Sequence, residues 1–260
     1  MRITTLASSS SGNCALLSHG GTHILIDAGI SLKRIRAALN RLGLSPGDIS
    51  AVLVTHLHGD HISGLPRLAG NTNARIYATR ETIDSVAVNM PAGTELEIIA
   101  PGMEFYVRDT AVQAFGTSHD AAGSVGFVVA SETRKFALVT DLGIVTQEVL
   151  SAVRGADAAV IEANHDPVML RDGIYPAAVK QRIASDRGHL SNAACGELAR
   201  QLTESGARTL ILAHLSPGNN TPELAIGEVG AALSRAGAVV GGDVRLSAAP
   251  LHEVGDTYEI

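Results

Sequence analysis

Three histidines and an aspartate, His56, His58, His61 and Asp60, fall within the run Thr55-His56-Leu57-His58-Gly59-Asp60-His61, directly after the apolar stretch 51–54. A packed core has little use for three imidazoles and a carboxylate, because buried polar groups must find partners. Metal cations are the partners that satisfy all four. Imidazole is the usual nitrogen ligand of zinc and also serves iron and nickel, whereas carboxylates suit harder ions such as manganese. Side chains fan outward from a loop, so His56 and His58 can close on one ion while Asp60 and His61 turn to a second. An open coordination position on such an ion holds water and lowers its pKa towards neutrality, which makes hydroxide available.

Rigid elements must hold such a cluster. Runs rich in valine, isoleucine and leucine predict strands over 2–6, 15–17, 24–26, 51–54, 75–78 and 112–115, with 125–130 and 135–140 paired as a hairpin. The second half repeats the pattern: 158–162 leads to Asn164-His165-Asp166, and 209–213 leads to His214. Leu32, Ile35, Leu39 and Leu42 recur at helical spacing between a capping Ser31 and a terminating Gly43. Further helices are expected over 81–90, 176–185, 191–204 and 222–236, the last opened by Thr221-Pro222. Strands in both halves, each set followed by helices, predict an α/β fold of two sheets faced by helices outside, a four-layer αββα sandwich. No repeat and no Pro/Gly/Ser-rich linker interrupts it, so residues 1–260 are expected to form a single domain.

With 45% hydrophobic and 18% charged residues, the chain reads as a soluble globular protein. Cys14 and Cys195 cannot build a disulfide framework; they are expected as small buried hydrophobes in a reducing compartment. No signal-peptide pattern follows the N-terminus and no apolar run approaches the roughly 18 residues of a membrane span, so a cytoplasmic protein away from membranes is expected. A net charge of -6 gives no overall attraction to nucleic acid. Local cation clusters remain: Lys33, Arg34, Arg36 and Arg41 on one predicted helix, and Lys180, Arg182 and Arg187 on another. His19, His23 and His252 have no partner motif and are expected on the surface or in loops.

The pattern His-x-His-x-Asp-His after a strand resembles the signature of the metallo-β-lactamase superfamily. Asp27, His119, Asp141 and His214 fall where that family has its other motifs. The resemblance implies that His56, His58 and His119 bind one ion and Asp60, His61 and His214 a second, with Asp141 shared. Zinc or manganese, or else iron, would fill these positions. Asp27 would brace the metal loop through hydrogen bonds without touching metal. Aspartate at 141, where zinc-thiolate β-lactamases use cysteine, favours the phosphodiesterase and thioesterase branches over β-lactam hydrolysis.

Ser8-Ser9-Ser10-Ser11-Gly12-Asn13, Ser118-His119-Asp120-Ala121-Ala122, Glu162-Ala163-Asn164-His165-Asp166, Gly188-His189-Leu190-Ser191-Asn192 and Ala213-His214-Leu215-Ser216 extend the likeness along the chain. Together they resemble the WalJ/YycJ-type branch, whose members are implicated as 5′-to-3′ DNA exonucleases. Gly59 departs from the serine common there. The stretch between Asp141 and His214 is too short for an inserted nucleic-acid clamp of about 100 to 150 residues.

The activity so implied is metal-dependent phosphodiester hydrolysis on DNA, with a bridging hydroxide attacking phosphorus in line and Asp60 orienting it. His165 or His189 could protonate the leaving 3′-oxygen. Ser191, the expected cap of a helix, could seat a phosphate with His189, and Asn192 belongs to the same motif. Ser11 and Asn13, in a loop of small residues over 8–13, could present backbone N–H groups to another. Aromatic residues make up 3% and tryptophan is absent, so DNA would be gripped by its backbone with little sequence preference. The competing readings are a small-molecule phosphodiesterase or thioesterase on the same fold and a non-catalytic metal-binding regulator.

Overall fold

Apolar runs without alternation become strands buried along their whole length, as strands covered on both faces must be. The computed structural model describes residues 1–260. Its contacts divide the chain into two compact units, Met1–Ala114 with Ala121–Val125 and Pro250–Glu259, and Phe115–Asp120 with Gly126–Ala249.

The first unit opens with β1 (Arg2–Ser9) and β2 (Gly12–His19), an antiparallel hairpin in which Ser9 pairs with Gly12. Ser9 and Asn13 therefore lie in strands, and the loop expected over 8–13 shrinks to a turn at Ser10 and Ser11. β3 (Thr22–Ile26), α1 (Leu32–Arg41), β4 (Ala51–Leu53), α2 (Gly59–Ile62), α3 (Leu65–Ala69), β5 (Arg75–Thr79), α4 (Arg80–Val86) and β6 (Leu96–Ile99) follow. A hairpin of β7 (Glu104–Val107) and β8 (Thr110–Gly116) comes next. Ser31 caps α1 by accepting from Arg34 N, and Gly43 ends it at φ +74°, where a β-carbon would be strained. The apolar stripe expected on α1, Ile35 with Leu39, packs with Leu65, Leu68 and Ile83 against Leu25, Val52 and Ile76 of the strands.

The second unit carries β9 (Val125–Ala130), β10 (Lys135–Val139), α5 (Gln147–Val153), β11 (Ala158–Glu162), α6 (Pro167–Asp172), α7 (Ala177–Ile183), α8 (Asn192–Glu204), β12 (Thr209–Ala213), α9 (Pro222–Arg235) and β13 (Arg245–Ala248). Its strands run in the order β13-β12-β11-β10-β9, with β10 to β13 parallel and β9 antiparallel to β10. Side chains of α8 and α9 approach closely at Gly196, whose added β-carbon would lie 2.9 Å from the Ala232 β-carbon. The last strand, β14 (Thr257–Glu259), belongs to the first unit, whose sheet reads β14-β1-β2-β3-β4-β5-β6 with β3 to β6 parallel.

No helix is long and apolar enough to cross a membrane.

Candidate metal centre

Asp27 and the metal run in the first unit, and Asp141, Glu162 and His214 in the second, sit at or just past the carboxyl ends of neighbouring parallel strands, the usual place for a site in such sheets. Three of them, Asp27 after β3, Asp141 after β10 and His214 after β12, have φ of 62°, 59° and 56°. Left-handed backbone is costly for a residue with a β-carbon, and it persists where surroundings over-determine it.

In the first unit that surrounding is a hydrogen-bond hub. Asp27 is 3% exposed; its Oδ1 accepts from Thr55 N at 2.8 Å, and its Oδ2 accepts from His61 Nδ1 at 2.7 Å. The Thr55 hydroxyl donates to the same carboxylate and lies 3.0 Å from His56 Nδ1. With Nδ1 of His61 committed to Asp27, Nε2 keeps its lone pair and faces Asp60 Oδ2 at 3.4 Å. His56 Nε2 and His58 Nδ1 face each other at 3.1 Å. Lone-pair donors at such separations form a set that a divalent cation satisfies.

Backbone packing holds this run in place. Ala28 N donates to His61 O, Gly64 N to Ala28 O and the Ser63 hydroxyl to Gly29 O, each at 2.8 Å. Asn13 is nearly buried: its Oδ1 accepts from Ser9 N, and its Nδ2 donates towards Asp60 Oδ2 (3.2 Å) and His61 Nε2 (3.0 Å). Ser11 is exposed, its hydroxyl 2.8 Å from that of Ser9.

In the second unit, β10, β11 and β12 deliver Asp141, Glu162 and His214 side by side. Ligand atoms of Asp141, Glu162, His189 and His214 lie within 4.8 Å of one another. Glu162, fully buried, is the hub: Oε1 accepts from His189 Nδ1 (2.8 Å) and His214 Nδ1 (2.7 Å), and Oε2 from Leu142 N and Leu190 N (both 3.1 Å). Burial raises its pKa, but the facing His189 and the two imidazole hydrogen bonds outweigh that and hold the carboxyl below its ordinary value. His119 Nδ1 donates to Gly188 O at 3.1 Å, and Asp141 Oδ1 lies 4.0 Å from His119 Nε2. Burial lowers the His119 pKa, favouring the neutral form that binds metal. His61, His119 and His214 thus share one device, an oxygen acceptor fixing Nδ1–H so that Nε2 points away from it.

His165 is 4% exposed, its Nδ1 is buried without a hydrogen-bond partner, and burial lowers its pKa. His189 is more open, its side chain 14% exposed. Ser191 caps α8 by accepting from Ala194 N. Asn192, expected at the substrate, is 1% exposed and exchanges paired amide hydrogen bonds with Asn220 (2.9 and 2.8 Å). Thr55, Glu162, Asn164 and Asn220 stand in or beside the motifs quoted from the sequence, which gave them no role of their own. Asn164 Nδ2 holds His214 O at 2.9 Å. For Glu162 a signal existed, a carboxylate closing the apolar run Ala158-Ala159-Val160-Ile161.

The chain belongs to the β-lactamase superfamily domain family, whose model matches residues 22–215. It is 36% identical to an exodeoxyribonuclease YycJ of Bacillus anthracis, over 93% of this chain and 92% of that one. It is 35% identical to an exodeoxyribonuclease WalJ of Streptococcus pneumoniae, over 97% and 98% of the two chains. Among solved structures, the metallo-β-lactamase fold protein YhfI of Bacillus subtilis superposes with a TM-score of 0.76 at 17% identity, covering 99% of each chain. Zinc-bound PqqB of Methylobacterium extorquens gives 0.74 at 19% identity, with full coverage of both. The chain has the metallo-β-lactamase fold, and its histidine and aspartate clusters are of a kind that can hold divalent metal ions.

Proposed function

We propose that the protein is a metal-dependent phosphodiester hydrolase that removes nucleotides from DNA ends in the 5′-to-3′ direction. The observation that carries this reading is likeness to exodeoxyribonucleases along almost the whole chain. The donors are His56, His58, Asp60 and His61 in the first unit and His119, Asp141 and His214 in the second, holding two divalent ions, zinc or manganese. Bound there, such ions lower the pKa of water and neutralise charge on phosphoryl oxygens.

The chain's own groups do the rest. Asp60, steadied by the Asn13 amide, orients the attacking water. His189, its Nδ1–H held by Glu162, presents Nε2 to the leaving 3′-oxygen. Burial lowers the His165 pKa, so less of that ring carries the proton a leaving group needs. Ser11 and Ser191 contact phosphate; Asp27 and Asn192 brace. Residues 1–260 act as one catalytic domain, gripping DNA by its backbone.

The test is incubation of 5′-labelled duplex DNA with manganese, zinc or chelator, beside a small phosphodiester. Labelled mononucleotide released only with metal, and lost in His58→Ala, supports the reading. Cleavage of the small ester with DNA left intact overturns it.

A further inference from the structure

In a chain with 26 acidic and 20 basic residues, stretches 28–47 and 61–80 hold seven lysines and arginines and no aspartate or glutamate. Both stretches lie in the first unit and meet through α1 and α3, which share one apolar core. Beside their contact runs a groove of about 450 Å³ lined by Ser31, Leu32, Lys33, Arg36, Asn40 and Arg67. Three cations and no carboxylate line it.

How these cations are held matters as much as their number. The Arg36 guanidinium donates to the Asn71 Oδ1, and Asn71 Nδ2 in turn donates to Arg67 O at 2.8 Å. Arg34 donates to His252 O at 3.0 Å. Neutral oxygens thus orient both guanidiniums and leave their charge uncompensated. Some other arginines are neutralised, Arg75 at the far end of the second stretch by Glu95, Arg134 by Asp157 and Arg182 of the other cationic run by Asp120. Arg108, Arg187 and Arg208 are, like Arg34, held by backbone oxygens.

The groove also adjoins the metal run in the chain. His61 of α2 and the following Ser63 and Gly64 are bonded to residues 28 and 29, just before the Ser31 cap of α1, and α3 follows α2. Lys33 and Arg36 lie about 3 and 8 Å along the helix axis from Ser31, at 1.5 Å per residue.

We infer that the groove between α1 and α3, with Lys33, Arg36 and Arg67, binds the phosphodiester backbone of the nucleic-acid strand whose end is being hydrolysed. This rests on the reading of the protein as a DNA hydrolase. The Arg36 guanidinium, oriented by the neutral Asn71 amide, and that of Arg67 pair with phosphate oxygens by forked hydrogen bonds, and Lys33 adds a point charge. The contacts are blind to sequence and sensitive to salt.

The experiment is fluorescence anisotropy of a 20-nucleotide phosphorothioate DNA with metal-loaded protein, titrated from 50 to 200 mM salt. Lys33→Gln/Arg36→Gln/Arg67→Gln should weaken binding at least tenfold at 100 mM salt and reduce the slope of log K against log salt by about 2, near 0.7 to 0.9 per lost phosphate contact. A second variant, Lys33→Glu/Arg67→Glu, keeps the Arg36–Asn71 bond and should show the same loss with unchanged melting. Arg154→Gln/Arg200→Gln/Arg235→Gln removes equal charge from the second unit and should leave slope and affinity as in the parent. Groove variants that bind with the parental slope, or control variants that lose as much, overturn the inference. DNA cleavage by the parent is scored separately: its absence with groove-dependent binding retained sinks the hydrolase reading alone, and its presence with groove-independent binding sinks the groove alone.

Discussion

A β-carbon placed on Gly29 would lie 1.6 Å from the carbonyl oxygen of Asp60 and 2.7 Å from the backbone nitrogen of Asn13. Neither atom belongs to a flexible side chain, so Gly29→Ala can be accommodated only by moving the backbone of the metal run. Overpacking of this kind costs about 1 to 3 kcal/mol. Gly29→Ala should therefore lower the denaturation midpoint and strip metal from the purified protein, read by elemental analysis. A variant with parental metal content would show that the run tolerates displacement.

Glu162→Gln keeps shape but removes the charge on which two imidazoles converge. One amide oxygen cannot replace a carboxylate that accepts four hydrogen bonds, and the amide nitrogen would face N–H donors. Loss of a carboxylate behind a ligating histidine typically lowers metal affinity 10- to 100-fold. Competition with a chelator of known affinity should find a loss in that range, with Glu162→Ala worse. Unchanged affinity would mean that His214 is not oriented through Glu162.

The metal run was legible because three histidines and an aspartate so close together have one plausible use. Asp27, Asp141 and His214 were legible as polar residues ending apolar strands. Their left-handed backbone was not, since nothing local in an aspartate or histidine announces it. Glu162 was legible as a carboxylate closing an apolar run, but its part as a hub was not, because that arises from β11 lying between β10 and β12, a parallel neighbourhood that no single segment encodes. Short strands such as β6 and β7 escaped because they are half-exposed and lack an apolar run. The expected loop over 8–13 failed because serine and glycine were read as turn formers, whereas tertiary packing buries Ser9 at 0% exposure within β1.

Burial lowers the pKa of both His119 and His165 below the ordinary histidine value. The unfolded chain therefore binds more protons than the folded one as pH falls below about 6.5, so stability present above that pH is lost on acidification. Urea unfolding of chelator-treated protein at pH 7.5 and 5.5 should show the fall, and His165→Gln should reduce it. An unaltered pH slope in the variant would contradict the burial argument for His165.

Cys14 is 2% exposed and Cys195 fully buried, and burial raises both thiol pKa values, with Asp27 adding to the effect at Cys14 and Glu162 at Cys195. The thiolate is the reactive form. Neither cysteine should react with an aromatic disulfide reagent at pH 8 in the folded protein, and both should react at once in denaturant. Rapid reaction in the native state would mean that β2 or α8 opens far more readily than its packing implies.

Asn192 and Asn220 form a closed pair of amide hydrogen bonds, and Asn220 also donates to Ala163 O and accepts from Thr221 N. The pair ties the segment after Glu162 to the starts of α8 and α9. Truncating either partner leaves a buried amide unsatisfied, at a cost of about 1 to 3 kcal/mol, with Asn220→Ala near the upper end because it abandons two further backbone groups. Removing both should cost less than the sum, by about 0.5 to 3 kcal/mol, because each single variant already forfeits the shared bonds. Urea unfolding of the two single variants and the double variant measures this directly. Strict additivity would show that the two amides act independently, and the brace between these segments would then have to lie in the bonds of Asn220 to Ala163 and Thr221 alone.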